Sequence, residues 1–415
     1  MSLLLTTETG WILSHLKYIN KMYIDIKKGD QEFELNFYNK LFDINSQYLR
    51  DNQFEKAIDG VIDEDNHKGE KRKRKRKRKV EIDSSILNEI KFVKENFEGI
   101  MSDRVRASIF LRTEGRWGVV DNNKIAREGS NDFFQRSFGG FDEFFGRNSR
   151  DQAVVESIKG VEYVFPENCE FYSHDVRNIG EMLEGREFDF VLMDPPWWNK
   201  FVRRTKDRMN ETGYKMMYND ELLKIPIEKL LTSNGVIAVW CSNAQSHYCD
   251  IIEKIFPSWG IKPISTWYWV KVTQTGYPIC NFRYESVKQP YELIIFGAKI
   301  MNDEVKIPDK RIMISVPSSV HSHKPPLTEV IKPFLPENPR CLEIFARYLL
   351  PHWTSYGLEY VDMRRRNPLI PTSPNNRHCP HAYLTTVRDR DVYLVYLFCC
   401  LCCNNRGYAC DDQQK

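Results

Sequence analysis

Seven short apolar runs in the second part of this 415-residue chain constrain its fold more than any other feature. Helical patterns at 219–232, 244–256 and 325–335 lie between several of the runs. Continuous apolar runs that alternate with helices are typical of strands covered on both faces of a mostly parallel sheet. We therefore predict a doubly wound, Rossmann-like α/β domain over residues 161–362. The runs are VEYVF (161–165), FDFVLMD (188–194), GVIAVWCS (235–242), ISTWYWVKV (264–272), YELIIFGA (291–298), RIMISV (311–316) and RCLEIFA (340–346).

The second run leads into an unusual loop, VLMDPPWWNK at 191–200. It places Asp194 at the carboxyl end of a predicted strand, which is where ligand sites of such sheets lie. Pro195 and Pro196 can continue neither a strand ladder nor a helix, so they stiffen the loop that carries Trp197. A bare D-P-P is more often a strand-ending turn followed by core tryptophans. D-P-P-W directly after a buried strand is a much more specific signal.

These residues suit chemistry on the exocyclic amine of adenine, a poor nucleophile whose lone pair is delocalised into the ring. Asp194 and the backbone carbonyl of Pro195 can each accept one N–H, which draws the nitrogen toward tetrahedral geometry. Trp197 offers an apolar face for a splayed-out base, and base stacking on an aromatic ring contributes about 1–3 kcal/mol. An electrophilic methyl group held in line behind the nitrogen completes a displacement that depends mainly on positioning. This chemistry requires no metal ion.

The motif and its surroundings resemble the eukaryotic adenine-N6 methyltransferase family, whose signature is [DNS]-P-P-[WYF]. Within that family, the segments resemble the branch called methyltransferase-like protein 4. The resemblance covers most of 161–360 and recurs at the N-terminus. It implies a class I methyltransferase sheet with a circularly permuted motif order and S-adenosylmethionine as the cofactor. The segments include GWILSHLKYINKM (10–22), VEYVFPENCEFYSHDV (161–176), DPPWWNKFVRR (194–204), KQPYELIIFG (288–297), VPSSVHSHKPPLTEVIK (316–332) and CLEIFARYLLPHWTSYG (341–357).

The resemblance also implies the residues that act on the cofactor. Lys324 looks like the lysine that pairs with the methionine carboxylate, although a lysine beside two prolines could be plain surface charge. Glu343 looks like the acceptor of the ribose hydroxyls. The implied catalytic residues are Asp194, Pro195, Pro196 and Trp197. The implied cofactor-binding residues are Asp175, Asp194, Pro195, Lys324, Glu343, Phe345 and Arg347.

Two positions depart from the family pattern. Tyr348 stands where the family usually has an asparagine after the arginine, and Leu358 replaces the asparagine of a Gly-Asn pair. We expect the loss of these amides to weaken cofactor affinity. Neither change touches Asp194, so we expect an active enzyme.

Cationic and aromatic residues beside the loop are candidate contacts for a nucleic-acid substrate. The charges that follow Trp198 suit phosphate contact, and a solubilising role is an equally good interpretation. Trp267, Tyr268 and Trp269 alternate along a strand, so we expect one face to be core and the other to face the ligand crevice. The predicted contacts are Asn199, Lys200, Arg203, Arg204, Trp269 and Lys271.

Membership of the branch implies N6-methylation of adenosine in RNA by a single chain acting as a monomer. The leading candidate target is an internal 2'-O-methyladenosine of U2 small nuclear RNA. DNA adenine methylation uses the same chemistry at N6 and is the nearest alternative. A catalytically dead scaffold that binds nucleic acid is the alternative from another class, and cofactor binding discriminates it from the enzyme.

The rest of the chain divides by composition. Residues 1–60 are predicted to be helical, with Trp11, Leu13, Leu16 and Ile19 near one face, and the resemblance to the branch implies that they help to hold RNA. Residues 61–82 form a charged linker, and 83–160 form an accessory region with a helix at 84–100. Lys71 to Lys79 is KRKRKRKRK, which is either a solvated spacer or a nuclear import signal with phosphate contacts. It predicts a nuclear location with some cytoplasmic pool.

The cysteines and the C-terminal tail give two further expectations. Five cysteines lie singly in apolar segments, which suits reduced thiols in an intracellular protein, and no stretch approaches the 18–20 apolar residues of a membrane helix. The tail, 363–415, is compositionally foreign and is predicted to be disordered. Its cysteines Cys399, Cys400, Cys402 and Cys403 could ligate a metal or be acylated, but the spacing does not match a zinc knuckle. We expect the tail to have no catalytic role.

Overall fold

The structure is a computed structural model. It describes residues 2–22, 26–28, 31–33, 35–37, 39–47, 83–110, 128, 144–158, 161–198, 217–284, 288–300, 306–319, 323–358, 369–371 and 392–396. The basic run, the tail cysteines and the four residues Asn199, Lys200, Arg203 and Arg204 lie outside this part of the chain, so what we expect of them stays a prediction.

A large sheet of 12 strands dominates the described part of the chain. Its central strand pairs in parallel with one neighbour on each side, which buries it on both edges and both faces. The strands, in spatial order, are β1 (Leu3–Thr6), β2 (Gly10–Leu13), β14 (Arg311–Ser315), β12 (Ile261–Lys271), β13 (Tyr291–Lys299), β11 (Leu231–Cys241), the central β10 (Phe188–Met193), β15 (Cys341–Ile344), β16 (Trp353–Tyr356), β9 (Cys169–Ser173), β6 (Phe144–Asn148) and β18 (Val392–Tyr396).

The predicted α/β class is confirmed, and all seven predicted runs form strands. The prediction of a mostly parallel sheet needs correction, because antiparallel pairs are almost as common as parallel ones. β13 lies between β12 and β11 and runs antiparallel to both. VEYVF forms β8 (Val161–Phe165) in a smaller sheet with β3 (Ile26–Lys28), β4 (Gln31–Phe33) and β7 (Val154–Ile158). A further pair joins β5 (Leu35–Phe37) and β17 (Leu369–Pro371).

Helices cover both faces of the large sheet, as expected for a doubly wound fold. Ile90, Val93 and Phe97 of the longest helix pack on one face, and Tyr18 and Ile19 of the first helix pack on the other. The α-helices are α1 (His15–Lys21), α2 (Ser84–Ile100), α3 (Asp103–Ile109), α4 (Ile179–Met182), α5 (Asn219–Leu222), α6 (Ile227–Leu230), α7 (Gln245–Asp250), α8 (Phe256–Ser258) and α9 (Thr328–Ile331). A π-helical turn spans Ile251–Ile255, and 3-10 turns span Asn39–Phe42, Val176–Asn178 and Lys332–Phe334.

The N-terminal segment differs from the predicted helix. Its first residues form the hairpin β1–β2, and β2 adds in parallel to the edge of the large sheet next to β14. A Cβ atom on Gly10 would lie 1.9 Å from the carbonyl oxygen of Ile312, so glycine permits this close approach. Helix α1 then begins after Ser14, whose side chain accepts the N–H of Lys17. The apolar spacing fitted a helix, but pairing with residues 300 positions away makes a strand.

Two smaller expectations also change. The N-cap of the helix over 84–100 is Asp83 rather than a serine, because its carboxylate accepts the N–H of Ser85. Two parts of the tail, β17 and β18, form strands, contrary to a wholly disordered tail. β18 has the sequence VYLVY, whose β-branched and aromatic residues favour the extended conformation, and it pairs antiparallel with β6.

The five cysteines outside the tail are free thiols. Cys169, Cys241 and Cys341 are buried, and Cys249 and Cys280 are half-buried. Within the described ranges, no helix combines the length and hydropathy needed to cross a bilayer.

Candidate active site

One edge of the large sheet collects most of the predicted site residues. β9, β16, β15, β10 and β11 run in the same direction, so their carboxyl ends meet at this edge. β12 also ends here, and the antiparallel β13 begins here. The edge therefore brings together residues that are far apart in the sequence. They are Asp175 after β9, Asp194 after β10, Lys271 at the end of β12, Glu292 at the start of β13, and Phe345 and Arg347 after β15.

Asp194 is held between two cations at this edge. It follows the central strand, is only 5% exposed, and its N–H points to the carbonyl oxygen of Ile344 at 3.4 Å. Nζ of Lys324 lies 3.3 Å from its Oδ1, and the guanidinium of the buried Arg347 donates a hydrogen bond to its Oδ2. The carboxylate is thus fixed and charge-balanced.

Glu292 is a site residue that the sequence analysis missed. Its Oε2 lies 3.1 Å from Nζ of Lys324, and its Oε1 accepts a hydrogen bond from Lys271. Burial would raise the pKa of Glu292, but the two lysines hold it well below its usual range. Burial would likewise lower the pKa of Lys324, but the carboxylates of Asp194 and Glu292 raise it. A carboxylate at the start of the apolar run YELIIFGA was the available signal.

The loop after β10 is held by main-chain and indole hydrogen bonds. The Pro195 carbonyl accepts the N–H of Trp197 at 2.8 Å, and the Pro196 carbonyl accepts the N–H of Met217 at 3.0 Å. The indole N–H of Trp197 donates to the carbonyl of Trp240 at 2.9 Å. The half-buried Trp197 ring also lies 4.8 Å from the ring of His247. The position of the Trp197 ring is therefore set by its hydrogen bond to Trp240 and its contact with His247.

Glu343 and its surroundings fit a ligand that carries hydroxyl groups. Glu343 pairs in register with Ser355 of the adjacent strand, and Oε2 of Glu343 and Oγ of Ser355 are buried without a hydrogen-bond partner in the described part of the chain. Burial raises the pKa of Glu343 to about 8, despite the opposing charge of Arg347. Such orphaned polar atoms are costly unless a ligand satisfies them. A ribose diol supplies suitable donors, so the residues present fit the predicted nucleoside cofactor.

The turn after Glu343 has an unusual backbone. Phe345 has a φ of 63°, in the left-handed region, and its half-buried side chain packs against the core. A Cβ atom on Gly357 would lie 3.0 Å from the amide nitrogen of Ala346, so a larger residue at the neighbouring strand end would crowd this turn. Non-glycine residues in this conformation cluster at ligand sites.

Asp175 lies at the same edge, and its carboxylate is hydrogen-bonded to Arg177. Its carboxylate accepts hydrogen bonds from the backbone N–H and Nε of Arg177, both at 3.0 Å, and from Nη2 at 2.5 Å. Its main-chain carbonyl accepts the hydroxyl of Tyr356 at 3.0 Å. The structure therefore places Asp175 beside the strand ends with its side chain paired to Arg177.

Tyr348 connects the N-terminal segment to the loop of Lys324. Its buried hydroxyl donates to the main-chain carbonyl of Lys324 and lies 2.9 Å from Nε2 of His15. Burial lowers the pKa of His15 to about 3, so the ring is neutral. Because the Tyr348 hydroxyl donates its one hydrogen to Lys324, it accepts the Nε2–H of His15. The departure from asparagine at this position is thus accommodated by a partner, His15, that the sequence analysis did not identify.

The predicted substrate role of Trp269 is not supported. Trp269 is 2% exposed, and its indole N–H donates to Oγ of Ser315 at 2.8 Å. Trp267 and Tyr268 are buried too, because Phe334 of a 3-10 turn packs on Trp267 on one face of β12 and Phe92 of α2 packs on Tyr268 on the other. All three rings are core. Lys271 pairs with Glu292, and its contact with RNA stays a prediction.

Comparison with known proteins identifies the part of the chain that contains this site. Residues 188–359 match the model of the MT-A70 family. The chain is 34% identical over 235 residues to the N(6)-adenine-specific methyltransferase METTL4 of Mus musculus, a match that covers 54% of this chain and 48% of that protein. This chain therefore spans about half the length of the mouse relative.

Two other relatives differ in their named substrates. The DNA N6-methyl methyltransferase of Caenorhabditis elegans is 28% identical over 359 residues, covering 84% of this chain and 94% of that protein. The N6-methyladenosine RNA methyltransferase MTA1 of Pyricularia oryzae is 28% identical over 225 residues, covering 51% of this chain and 57% of that protein.

Proposed function

Because residues 188–359 form an MT-A70 domain, we propose that this chain methylates N6 of adenine in RNA, with S-adenosylmethionine as methyl donor. MT-A70 methyltransferases use this cofactor. The observation that carries the proposal is the position of Asp194, at the carboxyl end of the central strand and between Lys324 and Arg347. A scaffold without catalysis would not need a buried carboxylate balanced in this way.

The residues divide the work of binding. Lys324 and Arg347 would hold the cofactor's anionic and hydroxyl oxygens, and Glu343 would accept its ribose hydroxyls. When bound, S-adenosylmethionine supplies an electrophilic methyl group. Burial of these side chains keeps water from the reacting atoms and strengthens their electrostatic contacts.

Asp194 and Pro195 would act on the substrate amine. Oδ1 of Asp194 has one cationic neighbour, Nζ of Lys324 at 3.3 Å. It keeps a lone pair that can accept an N–H of the adenine amine. The carbonyl of Pro195 accepts one hydrogen bond, from Trp197, and its second lone pair can accept the other N–H. Trp197, fixed by Trp240, would limit the tilt of the adenine ring. These contacts position the nitrogen, and positioning is the main contribution that a direct displacement needs.

For the target we propose an internal 2'-O-methyladenosine of U2 small nuclear RNA, methylated by the monomer in the nucleus. The RNA methyltransferase among the relatives supports an RNA substrate. DNA is the second candidate, favoured by the relative from Caenorhabditis elegans, whose length this chain covers almost completely. The chemistry at N6 is the same for both.

The test is methyl transfer from radiolabelled S-adenosylmethionine to matched oligonucleotides by the full chain. The strands carry one adenine in the same sequence as RNA, as RNA with a 2'-O-methyl group on that adenosine, and as DNA. Transfer that is faster to the 2'-O-methylated RNA than to the unmodified RNA and the DNA supports the proposal. Transfer to DNA alone overturns the RNA substrate. Absence of transfer to all three, with intact cofactor binding, overturns the proposed activity.

A further inference from the structure

Two aromatic side chains beside the candidate site have no role in it. Trp198 directly follows the D-P-P-W loop, and its ring stacks on Tyr218 with centroids 6.3 Å apart and planes 20° from parallel. Trp198 is half-buried, whereas Tyr218 is 63% exposed and is the most exposed large apolar residue in the described ranges. Stacking on Trp198 leaves most of the Tyr218 ring in contact with solvent, so the pair presents an aromatic surface that a ligand can cover.

The backbone on both sides of the pair is fixed. The N–H of Met217, next to Tyr218, donates to the carbonyl of Pro196 at 3.0 Å, and the N–H of Tyr218 donates to Oε2 of Glu221 at 2.8 Å. The imidazole of His247 hydrogen-bonds to the backbone of Trp198. The two rings are thus presented by a positioned main chain.

The location of the pair restricts what it can bind. Trp198 is four residues from Asp194, so any strand that delivers an adenine to Asp194 passes close to it. The nucleotides that flank a flipped adenine lose a stacking neighbour, and an aromatic ring can replace that neighbour without selecting a base. A protein partner would be a poorer match, because stable protein interfaces need far more area than one exposed ring pair offers.

We propose that Trp198 and Tyr218 form a stacking platform for the base next to the target adenine. The ligand is the single-stranded nucleic acid of the proposed function, so the inference rests on that function for its substrate. The platform can stack on any base, so it does not select the identity of the flanking base. It favours a strand that has a base at this position over a strand that lacks one. It adds affinity for strands in which the target adenine is unpaired and internal.

The test measures binding, so that it does not depend on turnover. Fluorescence anisotropy gives the Kd of the full chain for a labelled single strand with one adenine, and for strands that carry an abasic site on its 5' or its 3' side. For the wild type we expect the abasic site on one side to weaken binding by about 5- to 100-fold. Tyr218→Ala and Trp198→Ala are expected to bind the intact strand as weakly as the abasic one.

Two further variants give the comparison its control. Tyr218→Phe keeps the ring and is expected to retain the preference for the intact strand. Ile300→Ala removes a 54% exposed apolar side chain beyond the far end of β13, at the opposite edge of the sheet, and is expected to behave like wild type. If Tyr218→Ala keeps the full preference, or if wild type shows none, the platform is overturned.

The outcomes separate this inference from the proposed function. Methyl transfer without any effect of the abasic sites overturns the platform and leaves the proposed function intact. A preference that Tyr218→Ala abolishes, in a protein that transfers no methyl group, supports the platform and overturns the proposed activity. A chain that binds none of the strands and transfers no methyl group to them overturns both.

Discussion

Nζ of Lys324 lies 3.3 Å from Oδ1 of Asp194, the carboxylate that ends the central strand. The same nitrogen lies 3.1 Å from Oε2 of Glu292, at the start of an antiparallel strand. One lysine thus joins two carboxylates that are 98 positions apart in the chain, and it draws both toward the edge where the parallel strands end. This relationship organises the site that we assign to methyl transfer.

Replacing Lys324 with methionine tests its assignment to the cofactor. The change shortens the side chain by one heavy atom and removes its charge, and a hydrogen bond to a charged group contributes about 1.5–3 kcal/mol. We expect the Kd for S-adenosylmethionine, measured by calorimetry, to rise about 10- to 100-fold. Lys332→Met, which removes an exposed lysine, is the control and should leave the Kd unchanged. An unchanged Kd in Lys324→Met would remove this lysine from the cofactor site.

Replacing Tyr348 with phenylalanine tests whether the N-terminal segment positions the Lys324 loop. The variant removes the donor to the Lys324 carbonyl and leaves Nε2–H of His15 buried without its acceptor, at a cost of about 1–3 kcal/mol. We expect a lower Tm and a severalfold higher KM for S-adenosylmethionine, with a smaller change in kcat.

The controls for Tyr348 separate position from stability. Tyr18→Phe removes another buried hydroxyl from α1 and should leave the KM for the cofactor unchanged even if the Tm falls. His15→Leu should raise this KM, and His15→Gln, which keeps a side-chain N–H donor, should restore it. If the KM for the cofactor rises in proportion to the fall in Tm in all four variants, Tyr348 has only a structural role.

Glu343 makes stability depend on pH. Burial raises the pKa of its folded form to about 8, above the value near 4.3 that a glutamate has in an unfolded chain. Between these values the folded state keeps a proton that the unfolded state releases. The free energy of unfolding therefore falls as pH rises through this window, by at most about 1.4 kcal/mol per pH unit from this group. Glu343→Gln imitates the protonated form and should remove that slope. Chemical denaturation of both proteins from pH 5 to 8 checks this, and parallel curves would contradict it.

The basic run at 71–79 is expected to act on affinity and location rather than on chemistry. For single strands, each cation that neutralises a phosphate contributes about 0.7 to the slope of log K against log salt concentration. Replacing the run with glycine and serine should lower this slope and leave kcat unchanged. A fluorescent fusion of the same variant should lose its nuclear concentration. An unchanged slope together with a nuclear fusion would assign the run to neither role.

Local patterns in the sequence predicted the strands and the position of Asp194, because buried strands and proline-stiffened loops have local signatures. They did not predict the strand at Gly10–Leu13, since its pairing with Ile312 depends on a contact across 300 residues. Burial of Trp269 was missed for a related reason: alternation along β12 indicates two faces, but only the packed helices show that both are covered. His15 was missed because it has no local motif and its partner, Tyr348, lies 333 positions away. Glu292 was missed because its position at the start of an apolar run does not indicate that Lys271 and Lys324 pair with it.

The central claim is that Asp194 accepts a hydrogen bond from the adenine amine during methyl transfer. Asp194→Asn keeps the shape of the side chain and replaces one acceptor oxygen with a donor. The measurement is the rate of N6-methyladenosine formation, by mass spectrometry of digested oligonucleotide, for wild type and variant at saturating cofactor. Our account predicts product with the wild type and a rate at least about 100-fold lower with Asp194→Asn, while the variant still binds the oligonucleotide. Equal rates in the two proteins would contradict it.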